Sequence, residues 1–314
     1  MLCLKSISLS CQKENKSEVE LRVLRYFLAA AREGSITKAA ELLNITQPTL
    51  SRQIKDLEEE LGQKLFIRGS HNVTLTTEGM VLRKRAEEII DMIGKTKAEF
   101  NALQKTVAGE VYIGGGETRG MRLIAEVITE LRERHPEIHY HLYSGNAENV
   151  TERLDKGLLD FGILIQPTDL SKYDSITLPV KDVWGVIMPQ NSPLAQKTSI
   201  SKDDLTTLPL ICSQQAVRRT SVYNEFQAWF GKDFEKLNIV ATYNLVFNAA
   251  LLAEQGIGYV LSLDKLIDTR CSSLCFRPFE PPLEAELNIV WKKHQIFSPA
   301  AKLFLETLQK KVSL

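Results

Sequence analysis

The sequence has few features of an exported, membrane-bound or disulfide-stabilised protein. Its 314 residues contain no apolar run long enough to span a bilayer, and residues 1–18 lack the continuous apolar centre of a signal peptide. The five cysteines are an odd number and form no framework of paired spacings. These absences favour a cytoplasmic protein that has no membrane partner and begins with a disordered leader over residues 1–18.

Motifs of catalysis and metal binding are also missing. The five histidines occur in no HExxH pattern, no GxSxG is present, and Cys271 and Cys275 lack the further ligands of a zinc site. The glycines of GGGETRG at residues 114–120 precede no Lys-Ser or Lys-Thr pair and do not spell GxGxxG. They therefore fit a tight strand-to-helix turn rather than a phosphate-binding loop. We predict that the protein is not an enzyme and uses no cofactor or metal.

Charge offers little direct support for nucleic-acid binding. Lysine plus arginine and aspartate plus glutamate number 39 each, so the net charge is zero, and residues 19–108 carry only a slight positive excess. DNA binding would have to depend on individually placed side chains such as Arg52 and Lys64 rather than on a global field. With 314 residues, 44% of them hydrophobic, the chain is expected to form two or three domains.

Residues 35–55, SITKAAELLNITQPTLSRQIK, predict two short amphipathic helices joined by a tight turn. Ser35 is an N-cap residue type for the first helix, and Thr46 can cap the second, whose first turn accommodates Pro48. This arrangement is typical of a DNA-binding helix-turn-helix. The apolar positions expected to face inward are Ala39, Ala40, Leu42 and Leu43 in the first helix and Leu50, Ile54, Leu57 and Leu61 in the second.

Polar side chains lead the second helix, at the end that enters a major groove in this motif. Glutamine can bond adenine, arginine can bond guanine, and hydroxyls and lysine can hold phosphates. Two short apolar runs at residues 65–67 and 73–75 flank polar residues 68–72, which predicts a β-hairpin wing. The residues predicted to contact DNA are Ser35, Gln47, Pro48, Thr49, Ser51, Arg52, Lys55, Arg68 and His71.

A long helical segment over residues 79–108 follows the wing. Its apolar residues alternate spacings of four and three, which is the pattern of a heptad seam. A seam this narrow on a highly charged helix favours pairing with a second helix, so we predict a homodimer that presents two DNA-binding heads. The seam positions are Leu82, Ala86, Ile89, Ile93, Thr96, Phe100, Leu103 and Val107.

Residues 21–80, with AAELLNITQPTLSRQIKDLEEELGQKLFIR followed by VTLTTEG, closely resemble the N-terminal domain of LysR-type transcriptional regulators. The resemblance implies an α/β multi-domain protein. Its parts are a winged helix-turn-helix domain (19–78), a long dimerising linker helix (79–108) and a two-lobed α/β effector domain similar to periplasmic binding proteins. The implied partners are double-stranded DNA with an interrupted palindrome, RNA polymerase, a small-molecule effector, commonly an organic acid, and further copies of the chain in a homotetramer.

From Glu110 onward, strand and helix patterns alternate, which predicts a parallel sheet with ligands at the carboxyl ends of its strands. We predict one lobe from residues 109–184 and 266–314, a second from residues 185–265, and a hinged cleft between them. Helices are expected at residues 121–134, 150–156, 221–230 and 248–255 and from about Pro299. By position within the family, the effector contacts would be Thr118, Arg119, Asn146, Ala147, Ile165, Ser213, Gln214, Gln215, Phe247 and Asn248.

Three other functions remain open on the sequence. Peroxide-sensing members of the family switch through a disulfide, so Cys212 with a partner cysteine would make a redox-responsive regulator. An enzyme with an appended winged helix is a remote alternative. A ligand-transport protein would explain two lobes, but it would leave residues 21–107 unexplained and would require export.

Overall fold

The computed structural model describes residues 19–69, 72–102, 108–218, 224–269 and 272–313. The chain divides into two compact units, Met1–Gly94 and Lys95–Leu314. Within the described ranges, no helix is both long and apolar enough to cross a bilayer. Several predicted features lie outside the described residues: the leader over 1–18, His71, Leu103, Val107, Cys271 and the helix start at Ser221.

The first unit contains a three-helix cluster, a two-stranded hairpin and the start of a long helix. Its elements are α1 (Leu21–Glu33), α2 (Ile36–Leu42), α3 (Gln47–Leu61), β1 (Phe66–Arg68), β2 (Val73–Leu75) and α4 (Thr77–Ala102). The predicted caps are present, because Ser35 accepts a hydrogen bond from the Lys38 amide and Thr46 accepts one from the Thr49 amide, each at 3.4 Å. The strands pair antiparallel. The predicted helix-turn-helix and wing are therefore confirmed.

A small apolar core holds the first unit together. Phe27 is fully buried with its ring centroid 5.3 Å from that of Phe66, and Ala39, Ala40, Leu50, Ile54 and Leu57 are also buried. Two predicted core residues are exposed, Leu42 by 52% and Leu61 by 39%, and Leu43 is only partly buried against the core. Leu42 points to the flank of α2 away from Ala40, and Leu61 is the last residue of α3 before Gly62 ends the helix in a left-handed conformation.

Helix α4 begins two residues earlier than predicted. The Thr76 hydroxyl accepts a hydrogen bond from the Gly79 amide at 2.9 Å and donates one to the Lys64 carbonyl at 2.6 Å. The first two seam positions are covered by the chain itself and not by a partner helix. Ala86 is buried in the core of the first unit, and Leu82 packs against this core. Ile89 is 42% exposed. The side chain of Phe100 lies outside the described part of the chain.

The second unit contains an extended mixed sheet covered by helices. Helix α5 has the predicted bounds, while the helices predicted from residues 150 and 248 begin at Ala147 and Val246. Its elements are β3 (Gly109–Gly115), α5 (Met121–Arg134), β4 (Ile138–Ser144), α6 (Ala147–Asp155), β5 (Phe161–Ile165), β6 (Tyr173–Pro189), β7 (Leu210–Ser213), α7 (Gln214–Val217), α8 (Glu225–Phe230), β8 (Ile239–Tyr243), α9 (Val246–Glu254), β9 (Tyr259–Leu263), β10 (Leu274–Pro278), β11 (Glu284–Lys292) and α10 (Pro299–Val312). Short 3₁₀ helices cover Pro193–Gln196, Lys202–Asp204 and Gly231–Lys236.

The strands follow the order β4-β3-β5-β11-β6-β9-β7-β8, with β10 paired to β6. The prediction of a parallel sheet is correct for β3, β4 and β5 and for β7, β8 and β9. It is wrong at the centre, where β6 and β11 run antiparallel to their neighbours. These are the strands on which the chain passes between the lobes, so their direction is set by the crossings rather than by a strand-helix repeat.

Strand β6 belongs to both lobes. Its residues from Tyr173 to Val183 pair with β11, while Trp184 and the residues after it pair with β9 and β10. The predicted return to the first lobe at residue 266 is too early, because Leu274 pairs with Pro189 and Phe279 is buried in the core of the second lobe. Strand β10 was not predicted from the sequence, and the second crossing was therefore expected before this strand.

The glycine cluster after Ile113 serves close packing. A Cβ atom on Gly114 would lie 2.4 Å from Leu159 Cδ1 and 3.2 Å from Val150 Cγ1. Gly114 and Gly115 lie within β3, so the predicted turn begins only at Gly116. The cluster therefore lets α6 approach the sheet.

Candidate DNA interface and ligand cleft

The exposed N-terminal half of α3 is the candidate DNA interface. Gln47, Pro48, Thr49 and Arg52 are exposed and Ser51 is half-buried. The Arg52 side chain is 82% exposed, and its Nε lies 3.9 Å from Asp56 Oδ2. A surface ion pair of this kind contributes little stability, so the guanidinium can exchange Asp56 for a base or a phosphate.

The other predicted DNA contacts surround this helix start. Lys55 is exposed and its Nζ lies 3.3 Å from Glu59 Oε1, Arg68 is the exposed last residue of β1, and Ser35 is half-buried as the cap of α2. His71 lies outside the described residues. Polar and basic side chains of α3 and the hairpin are thus exposed to solvent and available to DNA. The Ser35 hydroxyl, in contrast, is already used to cap α2.

A buried carboxylate fixes the root of the wing. Glu58 is 3% exposed, and its Oε1 accepts hydrogen bonds from the Leu65 amide at 2.9 Å and the Phe66 amide at 3.3 Å. The Lys64 ammonium lies 3.0 Å from Oε2, so Lys64 forms an ion pair within the winged domain. Burial acts to raise the pKa of Glu58, but the hydrogen bonds from Leu65, Lys64 and Phe66 outweigh it and the pKa is lowered.

The second unit holds a small cavity between its two lobes. Its volume is about 60 Å³, which leaves room for a few water molecules or a compact organic group. Four residues predicted from the family pattern line it, namely Asn146, Ile165, Ser213 and Gln215. Several residues in the same wall were not predicted from the sequence, namely Glu117, Trp184, Tyr243, Asn244, Val246 and Ser262. Glu117 lies two residues after the end of β3 and Asn244 directly follows β8, so their position at strand ends was the available signal.

Two polar contacts join the lobes across this inner cavity. Glu117, which follows β3 of the first lobe, accepts a hydrogen bond from the backbone amide of Val246 at the start of α9 in the second lobe. In the opposite direction, Gln215 of α7 accepts a hydrogen bond from the Ala147 amide at the start of α6, at 3.3 Å, and donates one to the Ile165 carbonyl at 2.8 Å. Each lobe therefore supplies a side-chain oxygen to a helix N-terminus of the other, where unpaired amides favour an acceptor.

A wider outer cavity of about 750 Å³ adjoins the inner one. Asn146, Pro167 and Gln215 line both cavities, and Ala147 and Gln214 line the outer one. Arg218 of the second lobe donates a hydrogen bond to the Glu148 carboxylate of the first, although both side chains are more than half exposed. Gln215 consequently stands between the outer cavity and the inner one.

Four of the predicted effector contacts do not line either cavity. Thr118 is buried and donates a hydrogen bond to Asp182, and the Arg119 amide donates one to the same carboxylate at 3.3 Å. Burial raises the pKa of Asp182 against the effect of these two bonds. Phe247 is 61% exposed and Asn248 is exposed, because α9 begins at Val246 and its first residue, not its third, faces the cavity.

Cys212 is an isolated thiol in the core of the second lobe. It is fully buried, and both described cysteines, Cys212 and Cys275, are free. Burial raises the pKa of the Cys212 thiol to about 12, which leaves very little of the thiolate that reacts with peroxide. Within the described ranges, no three acidic, histidine or cysteine side chains gather as a set of metal ligands.

We expect Cys212 to resist oxidation in the folded protein. After treatment with hydrogen peroxide at neutral pH, peptide mass spectrometry should show Cys212 as the free thiol under conditions that oxidise the thiols of the urea-unfolded chain. Rapid conversion of native Cys212 to a sulfenic acid or a disulfide would contradict the structural argument.

An exposed helix N-terminus on a winged helix-turn-helix, followed by a two-lobed domain with a cleft, defines a DNA-binding regulator with a ligand-binding domain. Residues 21–80 match the family described as "Bacterial regulatory helix-turn-helix protein, lysR family", and residues 104–313 match the "LysR substrate binding domain". The chain belongs to the LysR family of transcriptional regulators, whose members regulate transcription and are not enzymes.

Individual relatives agree with this assignment. The chain is 31% identical to the HTH-type transcriptional regulator BsdA of Bacillus subtilis over 70% of this chain and 74% of that protein. It is 27% identical to the Hca operon transcriptional activator HcaR of Escherichia coli over 94% of this chain and 99% of that protein. The fold resembles full-length CbnR solved with its target DNA, with a TM-score of 0.70 at 18% identity over 93% of this chain and 99% of that one.

Proposed function

We propose that the protein switches transcription in response to a small molecule that binds in the cleft between the two lobes. The observation that carries this proposal is the pair of reciprocal contacts across the cleft, Glu117 to Val246 and Gln215 to Ala147. A ligand that exchanges these hydrogen bonds for its own changes the relative free energies of the open and closed lobes. Asn146, Ile165, Ser213 and Gln215 are the proposed contacts from the family pattern.

The DNA-bound form is proposed to be a homodimer that assembles into a homotetramer. Exposed Ile89 on α4 supports pairing of linker helices, and paired heads would read the two halves of an interrupted palindrome. Gln47, Thr49, Ser51 and Arg52 are the proposed base contacts, with Lys55, Arg68 and His71 on the phosphates or in the minor groove. The ligand would change DNA bending and contact with RNA polymerase, and the protein would act in the cytoplasm.

Fluorescence anisotropy with the DNA upstream of the protein's own gene tests the regulator as a whole. Sequence-selective and salt-sensitive binding that shifts with a cleft ligand is expected. A thermal-shift screen of small acids, amines and neutral compounds against the full chain would identify such a ligand, since a compound that binds only the folded form raises its melting temperature. If no compound of any charge changes either readout, the proposal of a ligand-responsive cleft fails.

Changing Arg52 to alanine should weaken binding to the operator by about 1–3 kcal/mol, or about 5- to 150-fold, if the exposed guanidinium pairs with a guanine. Binding to random DNA should change much less. Lys55→Ala is the matched control, because removing a phosphate-binding ammonium there weakens binding to both DNAs alike. Anisotropy titrations on the two DNAs at one salt concentration measure the difference, and equal losses of affinity for Arg52→Ala would show that Arg52 binds a phosphate.

A further inference from the structure

The inner cavity between the lobes has an electrostatic character that the family resemblance does not suggest. Glu117 is the one charged side chain among the described residues that line it, and no lysine, arginine or histidine is among them. A carboxylate ligand would therefore enter a small enclosed space next to a carboxylate, with no basic side chain to neutralise either group.

The N-termini of α6 and α9, either of which could hold an anion, already have side-chain acceptors, since Gln215 accepts the hydrogen bond of the Ala147 amide. The Glu117 carboxylate accepts the hydrogen bond of the Val246 amide, which is the one partner that the described residues give it. A carboxylate has about four acceptor positions, so a donor arriving from the cavity would find unused acceptor capacity. An ammonium group supplies three such donors and a compensating charge.

The nearest arginine in sequence does not change this balance. The charge of Arg119 acts on the buried carboxylate of Asp182, where it opposes the rise in pKa caused by burial, and Arg119 does not line the cavity. Arg119 therefore gives no cationic site inside the inner cavity, although it lies two residues from Glu117 in the sequence.

The other residues that line the inner cavity fit a small ligand with an apolar carbon skeleton and one polar group. Ser262 is 1% exposed and lines the cavity, and its Oγ forms no hydrogen bond of ordinary geometry with the described residues, although the Tyr243 hydroxyl is close to it. The Ser262 hydroxyl therefore adds a polar group to the wall, close to the Tyr243 hydroxyl. Trp184, Val246 and Leu263 form apolar wall beside it.

We infer that the inner cavity takes a small organic cation, a compact amine whose ammonium binds Glu117, and that it disfavours the corresponding carboxylate. This inference rests on the proposed function and narrows its ligand class. Glu117 is expected to set the charge selectivity, because no other described side chain that lines the inner cavity carries a charge. Replacing that carboxylate by an amide of the same shape removes the preference while keeping an acceptor for the Val246 amide.

Three probes with one carbon skeleton test the inference: propylammonium chloride, sodium propionate and 1-propanol at constant ionic strength. Binding to the full-length protein is followed by melting temperature and by the fluorescence of Trp184, with Trp184→Phe identifying the signal that comes from the cavity. Propylammonium should bind at least about tenfold more tightly than propionate, a difference of about 1.4 kcal/mol. In Glu117→Gln the ratio should fall close to one.

Glu126→Gln is the matched control, since it removes the same charge from an exposed position on α5 that does not line the cleft. It should leave the ratio as in the wild type. Tighter binding of propionate, an unchanged ratio in Glu117→Gln, or no binding of propylammonium would each overturn the inference. Tight binding of propionate at the Trp184 site would still leave the cleft as a ligand site, so the proposed function would survive the failure of the ligand class.

Discussion

Replacing Lys95 by alanine should destabilise the second unit by about 3–5 kcal/mol. The Lys95 side chain is 8% exposed, and its Nζ lies 2.7 Å from Asp160 Oδ1 and 3.2 Å from the Gly157 carbonyl oxygen. The Asp160 side chain is 5% exposed. Without the ammonium, this carboxylate would remain buried beside the sheet with no opposite charge, which is among the most costly changes a single substitution can make.

The ion pair belongs to a wider network. Asp160 Oδ2 accepts a hydrogen bond from the Tyr112 amide at 2.8 Å, and the Lys95 ammonium lies 5.0 Å from the centre of the Tyr112 ring. Lys95→Met combined with Asp160→Asn should therefore recover at least half of the loss, because the asparagine oxygen can still accept the Tyr112 bond without a buried charge.

Urea unfolding followed by tryptophan fluorescence measures this effect, since all three tryptophans, Trp184, Trp229 and Trp291, lie in the second unit. Lys97→Ala is the control, because Lys97 is an exposed lysine two residues further along the same helix. A loss below about 1 kcal/mol for Lys95→Ala would show that the pair is far better solvated than its burial indicates.

Glu58→Ala should destabilise the winged unit by about 2–4 kcal/mol and lower its affinity for DNA. The substitution leaves the amides of Leu65 and Phe66 without their acceptor, and both residues are at least 95% buried. An unsatisfied buried donor costs about 1–3 kcal/mol. Hydrogen exchange at these two amides should accelerate, while Glu59→Ala, which changes an exposed neighbour, should leave it unchanged.

Glu58 also gives the winged unit a pH dependence of defined sign. Its pKa is lowered in the folded protein, so its stabilisation is fully present above the pKa of an unfolded glutamate, about 4.3. The stabilisation is lost as the pH falls through the lower folded value. In Glu58→Gln, this contribution to the loss of stability at acidic pH should be absent. The melting temperatures of the wild type and of Glu58→Gln are compared between pH 3 and pH 6. If the two proteins show the same dependence of melting temperature on pH, the pH dependence does not come from Glu58.

The winged unit could largely be predicted because its structure depends on local signals. Ser35 and Thr46 mark helix starts by their chemistry, and the spacing of Leu50, Ile54 and Leu57 defines the buried face of α3. The role of Glu58 could not be predicted, because an acidic residue on a helix is typical of an exposed surface. Only the return of β1 to the end of α3 buries it.

The ligand cleft was predicted less completely because it is built from residues far apart in the chain. Asn146 and Ser213 follow strands and could be placed by the rule that ligands bind at the carboxyl ends of strands. The start of α9 at Val246 could not be placed from sequence, since no capping side chain marks it and its cap comes from Glu117, 129 residues away. Helix α9 was predicted to begin two residues too late, at residue 248. Phe247 and Asn248 were therefore placed in the site where Val246 lies.

The continuous strand Tyr173–Pro189 has a consequence for how such regulators recombine. Because this strand pairs with β11 in the first lobe and with β9 and β10 in the second, a chimaera joined anywhere inside it would give one lobe a foreign strand segment and break its ladder of backbone pairs. Exchange of ligand specificity between homologous proteins should therefore succeed when residues 95–313, which keep Lys95 together with Asp160, move as one cassette, and fail when a single lobe is transplanted.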